Sequence, residues 1–308
     1  MNNKRILIIG GGFSKERAIS LITAKSVLNA LKKKKYKSII CEPDGNLLQN
    51  IKNFKPNVVF NALHGRYGED GYIQAILESA KVKYTHSGVI ASSLAMDKEA
   101  SKEIFIKNKI ITPKYIKFKF NNYKKIKKNL VLEIKKKLKF PVVIKPINEG
   151  SSVDVYICSE ENFIKNLKKL FQYEKILIEE FIGGREIQVA IMGKKKLGAI
   201  ELKPKRKFYD YKAKYNASAK TKHIIPIDLP KKKLDQVMQM AFKAHNILGC
   251  KGVTRSDFKY SKGKFFLLEL NTQPGMTKLS LVPEIAAYKG LSFINLIKWI
   301  LKDATTKK

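Results

Sequence analysis

Between positions 255 and 271 the chain carries a guanidinium, two carboxylates and an amide at alternate positions: Arg255 and Asp257, then Glu269 and Asn271. Residues 252–260 alternate in polarity, Ser261-Lys262-Gly263-Lys264 supplies turn residues, and 265–271 is an apolar run with two polar side chains. This pattern predicts a β-hairpin. Residues two apart in a strand share a face. If both pairs lie on one side, three oxygen ligands and one arginine converge. Oxygen ligands without Cys or His suit Mg²⁺, a hard cation that keeps waters and binds substrate phosphates. The arginine beside them could grip an anion bidentately. Gln273-Pro274-Gly275-Met276-Thr277 then breaks the strand and leaves backbone N–H groups nearby. The alternative is a surface hairpin with its charges in water. Glu269 sits inside Phe265-Phe266-Leu267-Leu268, where an unpaired carboxylate would be costly to bury, which favours the metal reading.

Other elements must bring a substrate to that hairpin. Residues 5–9 read as a buried strand, Gly10-Gly11-Gly12 as a turn, and about 14–31 as a helix with Ile19, Ile22, Val27, Leu28 and Leu31 inside. Strand, glycine turn and helix begin a Rossmann-like α/β unit, although G-x-G-x-x-G is absent. Strands near 38–41 and 57–60 continue it. His64, Gly65, Gly68 and Gly71 follow at the sheet edge where open α/β sheets bind ligands. His64 could meet a substrate carboxylate there, or be a loop histidine bonded to backbone.

Residues 97–112 read as a helix with Asp97 as N-cap and Pro113 beyond its end. Lys98 in its first turn opposes the macrodipole unless an anion binds nearby, which suggests a phosphate contact. Residues 114–139 read as a solvated connecting element with a helix over 123–138. A strand at 140–146 ends in Lys145, and Glu149-Gly150-Ser151-Ser152-Val153 is a small-residue loop able to crowd N–H groups around phosphate. A strand at 155–157, a helix near 161–172 and a strand at 175–182 follow. Glu179 could accept an adenine amine while the backbone of Glu180, Phe181 and Ile182 reads the ring edge. Glu186 could take ribose hydroxyls. Each carboxylate could equally be an ordinary surface group. Strands at 187–192 and 197–202 continue the sheet. Residues 203–225 lack a period, carry aromatics, and suit a lid or a loop anchored on the body. A helix over 231–247 leads to the hairpin, and Ser280-Leu281 begins either a last helical region, 292–302, or a turn before it.

The chain has 308 residues, 44% hydrophobic, enough for two or three domains with a sizeable core. The apolar run at 6–9 is too short for a signal-peptide core, and no run of about 18 apolar residues is present. Cys41, Cys158 and Cys250 are isolated and odd in number, as in a cytoplasmic protein with reduced thiols. The net charge of +36 is spread along the chain, and only six of the 62 basic residues are arginine. A general lysine bias explains this better than a nucleic-acid surface, which would gather charge and use Arg for base edges. We therefore expect no specific nucleic-acid partner and no membrane.

Six motifs in this order, GGGFSKER at 10–17, ALHGRYGEDG at 62–71, AMDK at 95–98, KP..EGSSV at 145–153, FYDYKAKY at 208–215 and LELNTQPGMTKLSLVP at 268–283, resemble the D-alanine–D-alanine ligase family of the ATP-grasp superfamily. The resemblance spans nearly the whole chain. It implies a mixed α/β fold: a Rossmann-like domain over 1–96, then two ATP-grasp subdomains with mostly antiparallel sheets over 97–184 and 185–308. It implies that ATP phosphorylates the carboxylate of one D-alanine and that the amine of a second attacks the acyl phosphate, in a cytoplasmic homodimer making a peptidoglycan precursor. Carried over by motif, Glu16 holds the first ammonium and His64 lies by its carboxylate. Lys98, Lys145, Glu149, Ser151 and Ser152 bind phosphates, and Lys214 approaches the γ-phosphate or the second carboxylate. Ser151 and Tyr215 bond toward Glu16. Arg255 and the N–H of Gly275 stabilise the oxyanion, and Ser280 with the N–H of Leu281 receives the second carboxylate. Asp257, Glu269 and Asn271 bind two Mg²⁺, which Mn²⁺ can replace, and residues 205–220 form a lid. Tyr215 matches members that prefer D-alanine over D-lactate as second substrate. Asp154 stands where the family has glycine and would repel phosphate unless turned away. Lys212, Asn148 and Gln273 also depart from the pattern.

Overall fold

The computed structural model describes residues 4–120, 123–203, 221–277 and 280–306. The chain opens with β1 (Arg5–Ile9), α1 (Arg17–Lys32), β2 (Lys37–Cys41), α2 (Leu47–Phe54), β3 (Val58–Asn61), α3 (Tyr72–Ser79) and α4 (Val89–Met96). The strands form a parallel sheet in the order β2-β1-β3. Ile6, Leu7, Ile8 and Ile9 are all buried, as expected of a central parallel strand covered on both faces. The buried face of α1 is Ser20, Thr23, Ala24, Val27, Ala30 and Leu31. It is rotated from the expected stripe: Ile22 is exposed, and Ile19 and Ile22 border a cavity. Small residues allow this. A Cβ at Gly10 would lie 2.5 Å from that of Ala24, so only glycine lets the helix close on β1.

Next come α5 (Lys98–Lys107), β4 (Tyr115–Lys119), α6 (Tyr123–Lys137), β5 (Val142–Pro146), β6 (Tyr156–Cys158), α7 (Glu160–Lys168) and β7 (Lys175–Glu180). An antiparallel sheet runs β4-β7-β5-β6. Its core gathers Ile116, Phe118, Leu130, Ile134, Phe163, Leu167, Ile176 and Ile178. Residues 114–139 are therefore not a solvated connector: β4 alternates buried Ile116 and Phe118 with exposed lysines, and α6 packs Leu130 and Ile134 inward. Helix α5 stops at Lys107, short of Pro113, because Lys109 takes φ 58° and turns the chain.

The remainder is β8 (Arg185–Met192), β9 (Lys195–Lys203), β10 (Lys222–Ile224), α8 (Lys231–Ile247), β11 (Val253–Ser261), β12 (Lys264–Asn271), α9 (Leu281–Tyr288) and α10 (Phe293–Asp303). An antiparallel sheet runs β10-β9-β8-β11-β12. Val237, Ala241 and Ala244 of α8 cover one face with Ile187, Val189 and Phe258. On the other face, Val282, Ile285, Leu296 and Ile297 join Ala190 and Ile200 in a core continuous with Ile6, Ile8, Val27 and Phe60 of the parallel unit. The fold is mixed α/β, with one parallel sheet and two antiparallel ones among the described residues. The three cysteines are free and buried. No helix among the described residues is long and apolar enough to cross a membrane.

Candidate functional site

The antiparallel register of β11 and β12 sets Arg255 opposite Asn271 and Asp257 opposite Glu269. Because 255 and 257 alternate out of phase with 256, and 269 and 271 with 270, the four side chains share a face. Arg255 is bidentate on Asp257, Nε to Oδ1 at 2.7 Å and Nη2 to Oδ2 at 3.0 Å, and Nε also reaches Gln188 Oε1 at 3.1 Å. Lys98 Nζ lies 3.6 Å from Glu269 Oε2. Asn271 Oδ1 accepts the N–H of Gln273 at 2.8 Å, keeping a second lone pair. Among the described residues no group of three His, Cys, Asp or Glu is placed to hold a metal. The set here is two carboxylates and an amide oxygen, a donor set that fits a hard divalent cation and no soft one.

Two cavities meet at this hairpin. The larger, of about 490 Å³, is bordered by Glu16, His64, Ser151, Arg255, Gly275 and Ser280. The smaller, of about 80 Å³, is bordered by Lys145, Ser152, Glu179, Phe181, Glu186 and Asp257, with Glu149, Glu180 and Ile182 also on its wall. Lys98 and Glu269 border both.

In the larger cavity, the Glu16 carboxylate precedes α1 and accepts a hydrogen bond from Ser151 Oγ. A Cβ at Gly65 would lie 2.6 Å from Glu16 Oε2, and one at Gly150 2.8 Å, so two glycine loops close on it. His64 is buried with Nε2 2.9 Å from Thr23 Oγ1 and Nδ1 3.2 Å from Glu69 Oε1; both ring partners are side chains, not backbone. Burial raises the Glu69 carboxyl above its ordinary range, against the opposing pull of the His64 hydrogen bond. Gln273 donates from Nε2 to the Leu63 carbonyl, tying the hairpin exit to the loop of His64. Ser280 is the N-cap residue of α9; its Oγ accepts the Thr277 N–H at 2.9 Å, and a Cβ at Gly275 would crowd it at 2.9 Å. Backbone N–H groups and the positive end of α9 thus border the cavity floor.

In the smaller cavity, Lys145 Nζ lies 2.8 Å from Glu179 Oε2, Lys98 Nζ donates to the Glu149 carbonyl at 2.5 Å, and Lys259 pairs with Glu186 at 2.9 Å. Ser151 and Ser152 take φ 49° and 59°, which turns the loop sharply. Burial raises the Glu149 carboxyl, with Lys15 and Arg66 pulling the other way.

Asp154 has φ 54°, which explains why glycine suits its position, and Asp is one of the few side chains that tolerates it. Its carboxylate accepts from the Tyr173 hydroxyl at 2.5 Å and the Tyr156 hydroxyl at 3.2 Å and pairs with Lys15 at 3.2 Å. Burial would raise it, but the Tyr173 and Lys15 contacts prevail and hold it below the usual range. These partners turn the charge toward Lys15, Tyr156 and Tyr173. Tyr215, Lys214, Lys212 and the expected lid lie outside the described residues. The sequence reading missed Glu69, Thr23 and Lys102, which touch the predicted residues; Lys102 carried a signal in its spacing of four from Lys98.

The family profile described as D-ala D-ala ligase C-terminus matches residues 104–302, and that described as D-ala D-ala ligase N-terminus matches 43–87. The chain is 69% identical to a D-alanine–D-alanine ligase of Pelagibacter ubique over 99% of both chains. It is 44% identical to the ligase of Wolbachia pipientis wMel over 98% of this chain and 95% of the relative. Among solved structures, the D-alanine–D-alanine ligase of Bacillus anthracis complexed with ATP superimposes with a TM-score of 0.81 at 31% identity, over 98% of this chain and 97% of that one. With both profiles matched and close relatives aligned end to end, the chain belongs to the D-alanine–D-alanine ligase family.

Proposed function

We propose that this chain is an ADP-forming ligase that joins two D-alanines for peptidoglycan precursor synthesis, acting as a cytoplasmic homodimer. The observation that carries the reading is the meeting of the two cavities at Lys98 and Glu269: a nucleotide in one presents its terminal phosphate to a carboxylate in the other. In this reading the chain comprises a substrate domain, 1–96, and two nucleotide-clasping subdomains, 97–184 and 185–308.

In the first step a carboxylate oxygen of D-alanine attacks the γ-phosphorus and ADP leaves. Lys98, Lys145 and the loop of Glu149, Ser151 and Ser152 position the phosphates, while Glu179, Glu186 and the backbone at Glu180, Phe181 and Ile182 seat the nucleoside. Asp257, Glu269 and Asn271 would hold two Mg²⁺, or Mn²⁺, whose charge offsets that of the phosphates when bound. Glu16 anchors the ammonium of the first D-alanine, and His64 lies beside its carboxylate. In the second step the amine of another D-alanine attacks the acyl carbon. The oxyanion that forms is met by Arg255 and the Gly275 N–H. Collapse expels phosphate, and the amine proton leaves toward Ser151 and Glu16, a route that Tyr215 completes. Ser280 and the Leu281 N–H receive the second carboxylate, and Lys214 adds charge beside the phosphate.

The test is ADP release with D-alanine against L-alanine, with the dipeptide identified by mass. D-Alanine-dependent ADP release with one dipeptide formed per ADP is expected. Equal rates with both enantiomers, or none with either, would overturn the reading.

A further inference from the structure

Helix α5 sends two lysines, one turn apart, to two different carboxylates: Lys98 toward Glu269 and Lys102 toward Glu179. Lys102 borders neither cavity and is 0% exposed. Its ammonium donates to Thr112 Oγ1 at 2.6 Å and to the Pro113 carbonyl at 3.4 Å, and it pairs by charge with Glu179 Oε1 at 3.0 Å. An ammonium so held cannot swing to a ligand. Glu179, 2% exposed, is gripped from both sides, by Lys102 on Oε1 and Lys145 on Oε2. Lys145 borders the nucleotide cavity and Lys102 does not, so a phosphate can recruit the first cation and never the second.

We propose that Lys102 is a positioning residue for the nucleotide, keeping the Glu179 carboxylate ionised and aimed into the cavity when Lys145 turns to phosphate. The inference rests on the reading above, in which Glu179 meets the adenine amine. A carboxylate this buried with no cation would take up a proton and lose its strength as an acceptor. Burial would already raise Glu179, and the charges of Lys102 and Lys145 outweigh it and hold it low. The groups facing Lys102 are Glu179 from β7, Lys145 from β5, Glu269 from β12 and the Tyr115 ring of β4, 5.5 Å away. Burial lowers Lys102 to about 8, the charge of Glu179 opposing and that of Lys145 assisting. Nucleotide affinity should therefore fall as pH rises past that point, as the ammonium is lost.

The experiment is calorimetric titration of ATP with Mg²⁺, without D-alanine, into wild type, Lys102→Met, Lys102→Arg, Glu179→Gln and the Lys102→Met/Glu179→Gln pair. Lys102→Met should weaken ATP binding about tenfold or more, while Lys102→Arg restores it to within about threefold. In the Glu179→Gln background, Lys102→Met should cost less than about twofold further, because it acts through that carboxylate. Wild type should lose affinity between about pH 7.5 and pH 9.5 where Lys102→Arg, charged throughout, does not. ATP bound as tightly by Lys102→Met as by wild type, or a loss of equal size in the Glu179→Gln background, would overturn the inference. Should Lys102→Met not fold, Lys102→Gln in the wild-type and Glu179→Gln backgrounds decides: ATP bound as tightly as by wild type, or an equal loss in both backgrounds, overturns it. A wild type that binds no ATP overturns the underlying reading as well, which keeps the two failures apart.

Discussion

Glu269 belongs to two environments at once. Its carboxylate closes the hairpin pair with Asp257, and Lys98 approaches it from α5 at the boundary of both cavities. Its side chain is 26% exposed, so its charge is not a large term in folding stability. Its proposed role is to share a cation with Asp257 and Asn271, and the Glu→Gln change keeps its shape while removing the charge a hard cation needs. We predict that Glu269→Gln melts within about 2 °C of wild type, yet loses about 100-fold or more in turnover, near 2.7 kcal/mol of barrier. ADP release with saturating D-alanine checks this, and near-normal turnover refutes the assignment. At the same scale Asp154 shows how an unusual residue is accommodated: its charge points to Lys15 and Tyr173 rather than into the proposed phosphate loop.

Helix α5 is the element that carries the proposed nucleotide side. Asp97 caps it through Oδ1, which accepts the N–H groups of Glu99 and Ala100 at 2.9 Å each. The cap also offsets the unfavourable place of Lys98 at the positive end. Asp97→Ala should cost about 1 kcal/mol of stability and weaken ATP binding more than D-alanine binding, since Lys98 and Lys102 both lose their frame. Thermal melts with KM for each substrate measure this; a melting shift with both KM values unmoved would separate the cap from the site. The sequence announced this helix because Asp97 is an N-cap residue, and the hairpin because polarity alternated on both strands. It did not announce α2, α3 and α4. Each has eight residues, about two turns, and none has a side-chain cap, so neither period nor boundary was available to read. Strand β4 was hidden by Lys117 and Lys119, which alternate with Ile116 and Phe118. At the site, the shared face of Arg255, Asp257, Glu269 and Asn271 follows from a period of two. The Lys102–Glu179 pair does not, because its partners are 77 positions apart and only the fold joins them. Glycine positions were legible as a class, but only the structure shows that Gly65 and Gly150 both close on Glu16.

Across the whole molecule, one core runs from the parallel sheet through α9 and α10 to the five-stranded sheet, so the larger cavity rests on a single packed body. On the opposite face of that sheet α8 is docked, and near its end lies His245, 2% exposed, with Nδ1 2.8 Å from Thr254 Oγ1 of β11. Burial, helped by Lys251, lowers this imidazole from 6.5 to about 4. The folded chain therefore resists a proton that the unfolded chain accepts below about pH 6.5. Between those values the unfolded state binds more protons, so stability is present above about 6.5 and drains away as pH falls through about 4. The full effect is on the order of 3 kcal/mol, about 1.4 kcal/mol per pH unit. His245→Gln keeps a group able to bond Thr254 and removes the titration. We predict that its unfolding free energy, from urea titrations at pH 7, 6 and 5, falls less steeply toward acid than that of wild type, by about 1 kcal/mol between pH 6 and 5. Carboxylates titrate in both chains and cancel in the comparison. Equal slopes would mean that His245 accepts its proton in the folded state, and that the contact between α8 and β11 opens long before the cores separate.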